Sequence, residues 1–279
     1  MASTKTTKTK RKFKRTDTPS RKEKKQEDPL STKSDRKGVL GTIESFLRKF
    51  RNFAFLLMLA PIAVLYIFCI GVSITPGILI FKEMNEYAAA YPVLEQSFIL
   101  GFSIAAGIIS FWTTMIFIIP LVNLPFLPLV QPQKGTWFSL NVIPWYYHNA
   151  LAQLARYTVL DFVTPTPLNL LFYRMMGMKI GKGVVINTSN ISDPCLITLE
   201  DYVTIGGSAT IFAHYGMKGY LIVDRVHIKK GTTIGLKASV MGDVIIGENV
   251  MVTPHTVIMP KSRIQNDTMV GFKSSSPSN

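Results

Sequence analysis

The 279-residue sequence predicts two unlike halves: an α-helical membrane hairpin, then an all-β parallel β-helix. Three observations carry this. An aliphatic residue stands at every sixth position from Ile222 to Val270, through Ile228, Ile234, Val240, Ile246, Val252, Ile258 and Ile264. Two long runs, Phe53–Phe81 and Phe98–Val130, contain no charged side chain. The charge is also lopsided, because residues 1–52 hold 17 Lys and Arg against 6 Asp and Glu, a net +11 of the chain's +14.

Residues 1–40 form the first unit. They are mostly Lys, Thr, Ser and Arg, with few large apolar side chains before Val39. Such a segment cannot bury enough surface to offset its ordering entropy, so a disordered basic tail is expected. It lacks the aromatic platforms of a nucleic-acid binder apart from Phe13, and membrane lipids are the simpler partner. It is too long for a secretory signal and has no cleavage site.

Residues 41–131 form the hairpin, with spans at about 53–81 and 98–130. Each run exceeds the ~20 residues that cross a bilayer as a helix. Between them Lys82 faces Glu83, Glu86 and Glu95, while the flanks are basic. The positive-inside rule then places both termini in the cytoplasm. In 132–178, Trp145, Leu151, Leu154, Tyr157 and Leu160 recur at roughly helical spacing until Pro165 and Pro167 intervene. This predicts amphipathic helices at the membrane interface.

Residues 179–271 form the β-helix. Neither 3.6 nor 2 describes the period of six, but a coil of short strands and corners does. Upstream the register runs through Ile180, Ile186, Asp193, Leu199, Ile205 and Ile211. Asp193 makes one coil irregular. Ile211 to Ile222 is eleven residues, so about five extra residues loop out between Ala213 and Tyr220. Fourteen hexads give nearly five coils. Residues 272–279 are a short flexible tail.

Cys69 and Cys195 fall in different compartments and should not pair. No His/Cys spacing suggests a metal, and no glycine loop suggests nucleotide hydrolysis.

The hexads at Ile180, Ile205, Ile234 and Ile246 each begin Ile-Gly. They resemble the hexapeptide-repeat acyltransferases, whose fold is a left-handed parallel β-helix. The hand comes from the resemblance, since most parallel crossovers are right-handed. Over about 120–264 the chain looks most like the membrane-bound terminal domain of nonribosomal peptide and poly-amino-acid synthetases. The resemblance there rests on Tyr173-Arg174, Gly177-Met178-Lys179-Ile180-Gly181, Asp193-Pro194, Thr198-Leu199-Glu200-Asp201 and Thr210-Ile211-Phe212-Ala213-His214.

The resemblance implies an acyltransferase taking an acyl or aminoacyl group from acyl-CoA or a carrier-protein phosphopantetheine. It implies a homotrimer, no metal, and a carrier protein or synthetase as partner. His214, on the loop that leaves the coil, corresponds in placement to the general base of sugar and drug acetyltransferases. An attacking hydroxyl or amine must lose a proton, and imidazole suits that task. Asp224, Glu200 and Asp201 are the candidates to orient it. Lys237, Lys261 and Arg263 are candidates for the donor's phosphates, and amides near Gly206 or Gly235 for an oxyanion.

Two departures stand out. No Asp follows His214 closely, and Val270-Gly271-Phe272-Lys273 replaces the family's Gly-x-Pro-Ala element, which leaves room for a carrier-bound donor. His255 and His227 read as surface residues, and His148 as an interfacial one. Asn187 and Asn190 read as corner residues. The alternative to an enzyme is a non-catalytic membrane scaffold that recruits a biosynthetic complex.

Overall fold

The computed structural model describes Asp28 and residues 31–271. The expected disorder of residues 1–27, 29 and 30, and of the tail 272–279, lies outside the described residues.

Helix α1 (Gly38–Lys49) opens the described fold, beginning in the last three residues of the segment expected to be tail. It is held by a fully buried carboxylate, Glu44, which pairs with Arg36 Nε at 3.0 Å and Arg48 Nη2 at 2.5 Å. Arg36 Nη2 also donates to Asn141 Oδ1 at 2.6 Å. Part of the basic charge is thus structural.

Helices α2 (Arg51–Ala88) and α3 (Val93–Asn123) form an antiparallel hairpin. Among the described residues these two are long and apolar enough to cross a bilayer, and most of their apolar surface is exposed. They approach closely where Gly77 meets Gly107: a Cβ on Gly77 would stand 3.0 Å from the Gly107 Cα. Small residues permit such contacts between apolar helices. At 1.5 Å per residue α3 extends ~46 Å, well beyond a ~30 Å hydrocarbon core. Its last turns accordingly bury Met115, Ile116 and Ile119 in the core shared with the following helices.

Helix α4 (Ile143–Ala155) continues into a π-helical turn, Arg156–Leu160, and a further helix spans Pro167–Met175. The region 132–178 is not wholly helical, however. Gln133–Thr136 is a strand, and it pairs antiparallel with Tyr220–Val223.

The β-helix is a parallel solenoid of about five turns, consistent with the left-handed β-helix of the resemblance. One face stacks Lys179–Ile180, Ile197–Leu199, Val226–Ile228, Val244–Ile246 and Arg263–Ile264. The other two faces have five and four strands. In register, Leu199, Ile228, Ile246 and Ile264 lie above one another. The column of Ile205, Ile211, Ile228, Ile234, Val240 and Ile246 has no exposed surface. Burying such side chains contributes roughly 1.5–3 kcal/mol each. Left-handed residues turn the chain at the corners, including Tyr202, Ser208, Lys237, Asn249, His255 and Lys261.

The repeat differs from the sequence expectation in two details. Ile222 is not a rung. Ile211 and Ile228 are consecutive rungs, so the excursion is eleven residues longer than a hexad rather than five. Its residues form a hairpin, His214–Met217 with Tyr220–Val223, turned by Lys218 and Gly219 at φ 51° and 80°. Positive φ at both positions marks the turn that matches strand twist. Ile222 is buried by pairing in this hairpin, which makes it look like part of the repeat. In the irregular coil, Ile191 takes the aliphatic position opposite Ile211, and Asp193 turns the chain at φ 59°.

Candidate active site

Strand Thr210–Phe212 ends at a bend on Ala213, and the chain leaves the coil at His214. Gly242, on the next coil, lies directly against this step. A Cβ there would meet the Ala213 carbonyl oxygen at 3.0 Å and the His214 nitrogen at 3.1 Å.

His214 Nδ1 stands 2.6 Å from Asp193 Oδ2. The same carboxylate accepts the Ala213 N–H on Oδ2 at 3.0 Å and the Trp145 indole N–H on Oδ1 at 2.7 Å. Asp193 is fully buried, and the His214 side chain is 21% exposed. A carboxylate partner places the imidazole proton on Nδ1 and leaves the Nε2 lone pair for chemistry. The ring is held edge-on against Trp145 at 4.9 Å between centroids, and Phe212 lies at 5.7 Å.

His214 lines a cavity of about 630 Å³. Trp137, Phe212, Tyr215, Met217, Met241, Met259, Pro260 and Lys261 line it as well, with the Gly216 backbone. Gly216 makes room for the Trp137 ring, since a Cβ there would stand 3.3 Å from it. Burial pushes the Tyr215 phenol up, and Asp243 and Asp224 add to this. Tyr215 is therefore a protonated hydroxyl at neutral pH.

The three carboxylates chosen from sequence are engaged elsewhere. Glu200 Oε1 lies 2.6 Å from His227 Nε2, and its Oε2 accepts the Lys230 N–H. Asp201 accepts the Lys182 N–H, and Asp224 accepts the Arg225 N–H. The partner of His214 is Asp193, whose signal in the sequence was a charge where the count by six calls for an aliphatic residue. Of the basic candidates, Lys261 lines the cavity. Lys237 turns a different corner at φ 53°, and Arg263 pairs with Asp243 at 2.5 Å. The Gly206 and Gly235 N–H groups donate to the Ile234 and Val252 carbonyls at 2.8 Å, so they hold the coil and are not free for an oxyanion.

His148 is not interfacial. It is fully buried, with Nδ1 3.0 Å from Asn123 Oδ1, and burial pulls its pKa down to about 4. His255 occupies a left-handed corner.

No protein-family model matches the chain. Among curated proteins it is similar to the Delta-poly-L-ornithine synthetase of Acinetobacter baumannii (strain AB307-0294), 26% identical over 133 residues. That match covers 48% of this chain and 9% of the synthetase, so the chain spans less than a tenth of that relative's length. Solved structures similar to it are hexapeptide-repeat acetyltransferases. One is an acetyltransferase from Vibrio cholerae O1 biovar eltor, 20% identical, covering 48% of this chain and 85% of that one at a TM-score of 0.37. A second is the serine acetyltransferase of Neisseria gonorrhoeae, 17% identical, covering 72% and 89% at 0.31. A third is a maltose O-acetyltransferase from Clostridium difficile 630, 16% identical, covering 53% and 90% at 0.35.

Proposed function

We propose that the protein is a membrane-anchored acyltransferase, moving an acyl or aminoacyl group from a thioester to a hydroxyl or amine. The observation that carries this is the buried Asp193 holding His214 at an open cavity. His214 Nε2 takes the acceptor's proton as its oxygen or nitrogen attacks the thioester carbonyl. The C–S bond of the tetrahedral adduct then breaks, and the departing thiolate receives that proton from His214. Asp193 holds the tautomer and steadies the imidazolium between the two transfers.

The donor is acyl-CoA or a carrier-bound phosphopantetheine, and Lys261 is the cation placed to meet its phosphates. Helices α2 and α3 span the bilayer with both termini in the cytoplasm, and the helices of 132–178 lie at its surface. The β-helix acts as a homotrimer. A non-catalytic scaffold has no need of a buried carboxylate holding a histidine at a cavity.

The test is thiol release by protein in nanodiscs, supplied with acetyl-CoA, longer acyl-CoAs and loaded carrier proteins, with membrane extract as acceptor. His214→Ala should lower donor-dependent release by about 10²–10⁴-fold with folding intact. Equal release by wild type and variant would sink the assignment.

A further inference from the structure

We propose that the acceptor is a membrane-resident amphiphile whose nucleophile meets His214 and whose alkyl chain lies along Met217, Met241 and Met259. This rests on the acyltransferase reading and on the membrane placement of α2 and α3.

The first support is chemical. A small polar acceptor, such as an amino acid or sugar, needs a partner for each hydroxyl or charge it takes out of water. Beside His214, the lining side chains that could serve are the Tyr215 hydroxyl, the Lys261 ammonium and the Trp137 indole N–H. The rest of the wall is thioether, aromatic ring and proline. Met259 is 60% exposed and Met217 42%, a surface that gains by being covered. Each buried methylene of a ligand strengthens binding about fourfold.

The second support is shape. Val240 pairs with Ile258, so Met241 and Met259 follow equivalent positions on successive coils. Successive coils are ~4.8 Å apart, the spacing of neighbouring strands. The wall is therefore elongated along the solenoid axis and suits an extended chain. Unbranched, polarisable methionines mould to such a chain without selecting one shape.

The neighbours of Trp137 favour the acceptor over the donor as the occupant of this wall. Trp137 is one wall of the cavity. Its neighbour Phe138 packs edge-on against Phe55 at 5.1 Å, with the Arg51 guanidinium 5.8 Å from the same ring. Phe55 lies in the second turn of α2, where exposed Phe53, Leu56 and Leu57 begin the apolar outer surface. The catalytic cavity and the lipid-facing helix are thus one residue apart. A bilayer-borne chain has this route, whereas a thioester donor arrives from the aqueous side.

The experiment uses the full chain in nanodiscs, whichever thioester donor supports His214-dependent thiol release, and primary alcohols and amines of two to twelve carbons as acceptors. Wild-type kcat/KM should rise about tenfold or more with acceptor length. Met241→Gln with Met259→Gln should flatten that slope, chiefly through KM. A diazirine-tagged twelve-carbon alcohol gives a readout independent of turnover and should label the segment 241–261. A flat acceptor series, a slope found only with donor chain length, or labelling confined to α2 and α3 would overturn this proposal while leaving the transferase standing. Loss of all His214-dependent thiol release would overturn both.

Discussion

Asp193 carries a carboxylate with no exposed surface on a left-handed backbone, at the turn that follows the aliphatic rung Ile191. Both features are unfavourable by themselves, and three converging N–H donors offset them. Asp193→Asn keeps the shape but no longer enforces the Nδ1–H tautomer. It should cut kcat by about 10²–10⁴-fold while KM moves little, and it should lower the melting temperature, because either orientation of the amide sets an NH2 against the Ala213 or Trp145 N–H, as steady-state kinetics and a thermal melt would show. Trp145→Phe removes one donor to a charged group and should cost about 1.5–3 kcal/mol, read by denaturation. The place where the chain leaves the coil at His214 was legible in the sequence, because the excursion there interrupts a strict period. The partner of His214 was not, because stacking of coils, not closeness in sequence, brings together residues 193 and 214. Asp224, Glu200 and Asp201 are nearer in sequence, yet their oxygens serve backbone amides and His227.

At the scale of elements, α4 joins the site to the helical half. It supplies Trp145 to Asp193 and buries His148 against Asn123. His148 stays neutral when folded, whereas an unfolded histidine takes up a proton below about 6.5. Its contribution is present above pH 6.5 and is lost as pH falls toward about 4, the folded value. The loss amounts to about 3 kcal/mol, from 1.36 kcal/mol per unit of pKa. Thermal melts across that window should show it, and His148→Gln should flatten the slope. Glu44→Ala leaves two arginines facing a vacated buried site and should destabilise the α1 packing by about 3–5 kcal/mol. The period of six exposed the solenoid and its rungs, because one residue type must fill the column on every face. It could not separate Ile222 from a rung, since a buried strand of a hairpin also demands an aliphatic residue. Nor did the helical spacing of 132–178 reveal the strand Gln133–Thr136. That strand is set by a partner almost ninety residues away.

For the whole molecule, the boundary between helical and β halves follows from composition, but their union does not. Gln133–Thr136 completes the sheet of the excursion hairpin, Trp145 reaches into the first coils, and α3 shares its buried end with the same core. The Gly77–Gly107 contact sets how closely the two long helices run. Gly77→Leu should push them apart and shorten the thermal lifetime in nanodiscs, while far-ultraviolet circular dichroism of the solenoid changes little. An unchanged lifetime would mean that the hairpin is held elsewhere.

The strand at Gln133–Thr136 also bears on how this protein can be divided. A fragment severed at residue 179 would keep every rung of the repeat. It would leave Tyr220–Val223 with a bare row of amides and carbonyls on one side, and Asp193 without its indole donor. Unpaired edges of this kind recruit other chains. Such a fragment should sediment as aggregates and release no thiol. The solenoid looks modular on paper, but the corner that carries His214 is tied to the helical half twice, by the strand Gln133–Thr136 and by the Trp145 indole.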